Sequence, residues 1–80
     1  MNDETMGDAR QALRDIRELK EDGAETASGI RTLVADGAEL LAEDDRGVAL
    51  WFLWHAKLHG YIRQGLYTRL REKIEWEGAE

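Results

Sequence analysis

His55 and His59 stand four residues apart. On a helix that spacing puts both imidazoles on one face, where a pair can hold a divalent metal. The zinc-protease pattern needs a glutamate directly after the first histidine to act as general base, and this chain has Ala56 there. There is no cysteine, which removes thiolate ligands, thiol nucleophiles and disulfides. A third metal ligand would have to be an Asp or Glu from another helix. The plainer alternative is two half-buried histidines on an amphipathic face, and we expect no metal and no cofactor. Ser28 is the lone serine, in a Gly/Ala-rich segment, and no glycine-rich phosphate loop runs into Lys-Ser or Lys-Thr. The carboxylates form rows, not an isolated pair beside apolar residues whose pKa values would split. With 80 residues, a substrate pocket is hard to enclose. The expectation is a protein without enzymatic activity.

Binding chemistry has more material. Asp15, Glu18, Asp22 and Glu25, then Asp36 and Glu39, recur at helical spacing. Such neighbours sit about 5–6 Å apart, close to the spacing of phosphates along a nucleic-acid strand, so the row suits a basic groove. The plainer alternative is a solvated face that keeps the chain apart from its copies. A second candidate face combines Trp51, Trp54, Tyr61 and Tyr67 with Arg63, Arg69 and Arg71. Arginine beside aromatic rings suits a protein or oligomer interface, phosphates and bases, or a membrane surface. Trp51 and Phe52 are expected in the core, and Trp54 is the candidate interface residue, since tryptophan is enriched in binding hot spots.

These side chains must be positioned by helices. Strand signals are poor, there is no proline, and apolar residues step by three and four. The apolar rows are Met6, Ala9, Leu13, Ile16, then Ala27, Ile30, Val34, Gly37, Leu41, then Val48, Trp51, His55, Leu58, Ile62, Leu66, Leu70, Ile74. One frame is written twice, IRELKEDGAE over 16–25 and IRTLVADGAE over 30–39. The offset of two heptads keeps both copies on one stripe. Asp-x-x-Glu fits a capping box. The first copy follows a charged run, so it is read as opening a helix, with Asp22 as cap. The second is flanked by LVA and LLA, so it is read as helix interior, with Gly37 letting a neighbour approach. A single helix over 4–43 is the rival, set back by Gly23 and Gly29, which each cost about 1 kcal/mol in a helix interior. Asp44 or Asp45 caps the last helix.

The expected fold is therefore all-α: one domain with helices near 4–21, 24–43 and 46–76, a long last helix that Gly60 or Gly65 can break, and a frayed tail over 77–80. A two-helix hairpin that dimerises into a four-helix bundle is the alternative. A core this small favours self-association. No apolar leader is visible, and VALWFLW, the longest apolar run, is far short of the roughly 20 residues that span a bilayer. A cytoplasmic protein is expected.

The formal charge of −6 is unevenly spread. Residues 1–45 hold 13 acidic and 5 basic side chains, and residues 46–80 hold 4 and 6. All six aromatic rings lie in the second part. Repulsion from the acidic part opposes direct nucleic-acid or anionic-membrane binding. In size, acidity and lack of a catalytic motif the chain resembles the small inhibitors that phages carry against host defences, anti-CRISPR proteins among them. That resemblance implies a protein partner that handles nucleic acid, blocked through the acidic face. A self-assembling helical adaptor and a surface binder using the basic aromatic segment are the other readings.

Overall fold

The computed structural model of the chain describes residues 3–79, with side chains through 76. Four helices make it up: α1 Asp3–Glu21, α2 Ala27–Asp44, α3 Arg46–Leu58 and α4 Gln64–Ala79. No strand occurs among the described residues, as the helical spacing implied. The expected single helix over 46–76 is instead two helices. α4 runs through Ala79; residue 80 of the expected tail lies outside the described residues.

The chain reverses twice with the same device. At the end of α1, Gly23 has φ +66°, its N–H donates to the Lys20 carbonyl, and the Ala24 N–H donates to the Leu19 carbonyl. At the end of α3, Gly60 has φ +77°, and the N–H groups of Gly60 and Tyr61 reach the carbonyls of Lys57 and Ala56. This is the Schellman pattern, which needs a left-handed residue after the helix and is cheapest with glycine. The break in 4–43 is therefore real, but its cause differs from the expected one. The first Asp-Gly-Ala-Glu closes α1 and does not cap α2. Thr26 is the cap: its hydroxyl accepts from the Gly29 N–H at 3.0 Å. Glu25 turns its carboxylate to the Thr26 N–H.

Between α2 and α3 there is a single residue. The Asp45 N–H donates to the Leu41 carbonyl, its own carbonyl accepts from Ala49, and its carboxylate accepts from the Val48 N–H at 3.3 Å. One aspartate thus ends one helix and caps the next.

α2 and α3 form the central pair. α1 packs on both, α4 packs on both, and α1 and α4 do not touch among the described residues. The core draws Ala9 and Ile16 from α1, and Ile30, Val34, Ala38 and Leu41 from α2. α3 adds Val48, Ala49, Phe52, Leu53 and Ala56, and Tyr67 and Ile74 come from α4. The buried face of α3 is therefore not the expected Trp51–His55–Leu58 row. The small residues Ala49 and Ala56 let α3 turn Phe52 and Leu53 inward. Trp51 and His55 are left half-buried and Leu58 exposed. Phe52 is fully buried, worth about 1.5–3 kcal/mol relative to exposure. Its ring lies against Gly37, where an added Cβ would stand 3.3 Å from Cζ. The second glycine of the repeated frame is thus helical, as expected, and makes room for the Phe52 ring of α3. The Cα extents are 39 × 28 × 17 Å, a flat body two helices thick.

Candidate functional site

The acidic residues do not make one surface. Asp8, Asp15 and Glu18 are exposed along one side of α1, and Asp22 is exposed just past its end. Among the described residues no cation bridges any of these four, although the Gln11 amide donates to Asp15. Arg17, on the far side of α1 from Asp8 and Asp15, is taken by Glu21 at 3.0 Å. The hydrogen bond and then the charge of Glu21 hold the Arg17 pKa above its ordinary value. Glu25 sits in the link and serves the start of α2. Asp36 is exposed on α2. Glu39 is bridged by Lys73 of α4, so it faces the side of the body that α1 does not reach. Equal sequence spacing across both copies placed these carboxylates on one stripe only if the helix were continuous, and Gly23 ends it.

The aromatic and basic residues separate as well. Tyr61 and Tyr67 are buried, which corrects their assignment to a contact surface. Tyr61 fills the turn after Gly60, under the Lys20 ammonium at 5.3 Å, with His59 stacked on it at 5.4 Å. Burial pushes the Tyr61 hydroxyl pKa up, Arg17 pulls it part of the way back, and Glu21 adds a smaller push upward. The Trp51 and His55 ring centroids are 4.2 Å apart with the planes tilted, and the His55 and His59 ring centroids are 6.5 Å apart. Among the described residues no group of three or more His, Asp or Glu is placed to hold a metal. The two histidines are thus packed into a row of rings.

On the other flank of α3, Trp54 meets the edge of Tyr67 at 5.7 Å, and Lys57 lies over the Trp54 ring at 4.6 Å. Arg71 lies over Tyr67 and pairs loosely with Glu75 at 3.8 Å. Trp54 is 42% exposed and Leu58 59%, one turn apart on the outer face of α3. Trp54 is thus accessible to solvent.

Arg63 and Arg69 belong to neither flank. They line a groove between α4 and α2, whose wall also carries Arg31, Ser28 and Thr32. Sequence reasoning missed Arg31. The signal was in the repeated frame: Arg17 has Glu21 four residues on, but the second copy has Ala35 there, so Arg31 has no partner within its helix.

No helix among the described residues is long and apolar enough to cross a membrane. No family model matches the chain, and no curated protein and no solved structure is significantly similar to it.

Proposed function

We propose that this is a non-enzymatic protein-binding module whose α1 docks into a basic groove of a protein that handles nucleic acid, and inhibits it. The observation that carries this reading is the acidic row: Asp8, Asp15 and Glu18 exposed along one side of α1 and Asp22 just past its end, with no cation bridging them among the described residues. A helix presenting carboxylates at this pitch offers a basic cleft a rigid substitute for a phosphate row, with little ordering cost on binding. Small phage-borne inhibitors of host defence have the same size and acidity, and such a partner places the protein in the cytoplasm.

The test is capture of partners from a nuclease-treated lysate of the source cell at low and high salt. A nucleic-acid-handling protein is expected at low salt and lost at roughly 0.5 M, where the Debye length falls to about 4 Å. The triple variant Asp15→Lys, Glu18→Lys, Asp22→Lys is expected to lose it at any salt. Glu25 is left intact because it serves the α2 start. Unchanged capture by the triple variant would sink the reading. A second reading, self-assembly, draws on Trp54 and Leu58. Recovery of only the chain's own copies, abolished by Trp54→Asp, would favour it.

A further inference from the structure

The groove between α2 and α4 points to a second binding site. We propose that it binds a small anion carrying two or more phosphate groups, held by Arg31, Arg63 and Arg69.

The groove has a volume of about 780 Å³, within the usual range of about 300–1,000 Å³ for ligand clefts. Arginines make up three of its eight lining residues, and no carboxylate lines it. Among the described residues Arg17, Arg71 and Lys73 are ion-paired and the other Lys and Arg side chains are not; three of those others meet in this groove. Arg31, Arg63 and Arg69 have no ion pair among the described residues, and Glu72, one turn from Arg69, does not reach it. Three guanidinium groups lining one concavity can share an anion that has several oxygens. Arginine is suited to this because its planar fork donates two parallel hydrogen bonds to a phosphate.

The backbone adds to the site. α2 and α4 run in the same direction: their first turns share the groove, and farther along Glu39 meets Lys73. At the start of α4 the Arg63 carbonyl accepts from the Tyr67 N–H, but an arginine side chain cannot accept a hydrogen bond from the helix. Among the described residues no side chain caps the amides of Gln64, Gly65 and Leu66. Such amides suit an anionic oxygen, and nothing lies within 4 Å of where a Gly65 Cβ would stand. The open backbone there lets a phosphate approach.

The same geometry limits the ligand to a short one. The stretch from Ser28 to Ala35 is about 10 Å long. Glu25 lies just before it and the Glu39–Lys73 pair just beyond it. A nucleic-acid strand continuing past either end meets a carboxylate, whereas a compact polyphosphate does not. This surface is separate from the α1 stripe, so its occupancy does not depend on the partner proposed above.

The experiment is calorimetric titration of the full chain with inorganic tripolyphosphate at low ionic strength, alongside a 15N-labelled sample read by amide shifts. Saturable binding is expected, with the largest shifts at the amides of Arg31, Gly65 and Leu66. Arg31→Gln and Arg69→Gln are each expected to weaken binding about tenfold, the usual worth of a charge-assisted pair. Arg46→Gln, on an exposed residue outside the groove, is expected to leave it unchanged. All three arginines replaced are exposed, so circular dichroism should show folded variants. No heat and no shifts with tripolyphosphate would overturn the proposal. Equal weakening by Arg46→Gln would overturn it as mere charge attraction. Saturable binding of a single-stranded oligonucleotide without any of tripolyphosphate would overturn the small-anion assignment.

Discussion

The two copies of the repeated frame put nearly the same residues into opposite situations. In the first, Gly23 stands at φ +66° with open space around it, and the chain leaves the helix. In the second, Gly37 is helical and faces the ring of Phe52, and the chain passes through. The difference lies in the flanking residues. Lys20-Glu21 before the first Asp-Gly-Ala-Glu gives a helix nothing apolar to bury, and Thr26 just after it accepts the cap bond. Val34, Ala38 and Leu41 around the second Asp-Gly-Ala-Glu are buried and keep an apolar stripe in place, so burial holds the glycine in the helix against its propensity. A local motif sets the options, and the packing available on either side selects among them.

The sharpest way to break this contrast is to load both glycines with the same side chain. Gly37→Leu must displace Phe52 in a closed core, and overpacking of that kind costs roughly 1–3 kcal/mol. Gly23→Leu meets no atoms but is strained in the left-handed region, at about 1–2 kcal/mol. Urea unfolding of the two variants is expected to show both losses. Restoring space with Phe52→Leu should recover part of the first and none of the second. Recovery of both would mean the two glycines serve one purpose.

The cap assignment gives a smaller effect. Thr26→Ala is expected to cost about 1 kcal/mol, while Asp22→Ala should stay within about 0.5 kcal/mol, as exposed substitutions usually do. Thermal melts decide it, and the reverse ranking would restore Asp22 as the start of α2.

The smallest effect concerns the matching turn at Gly60. Burial raises the Tyr61 pKa above its ordinary value near 10. Folding therefore favours the protonated hydroxyl. That contribution is fully present below about pH 10 and is lost as pH rises through the raised folded value. Denaturant midpoints measured across the alkaline range should fall less steeply for Tyr61→Phe than for the parent chain. Parallel curves would place the ring's hydroxyl in water.

Periodicity made the helical class legible, and Asp45 and Gly37 were readable because each has one local job. The break at Gly60 was not settled by periodicity, since Leu58, Ile62 and Leu66 keep helical spacing straight across it. His-Gly-Tyr ends α3 by the same bonds that Asp-Gly-Ala uses to end α1, so comparing the two glycines would have located it. The candidate surfaces were less legible. Spacing along the chain cannot say that Glu39 and Asp15 face different sides, nor that Tyr61 and Tyr67 are consumed by the core. Arg31 escaped because its character comes from a carboxylate that the second copy lacks.

The three links differ in slack. Five residues join α1 to α2 and five join α3 to α4, but only Asp45 stands between α2 and α3. The middle pair therefore moves as one lever, with its angle set by a single residue at φ −156° and ψ 107°. Opening the body short of unfolding means swinging an outer helix away on its five-residue tether. Slow amide hydrogen exchange should then concentrate in α2 and α3, with α1 and α4 exchanging through partial openings of lower free energy.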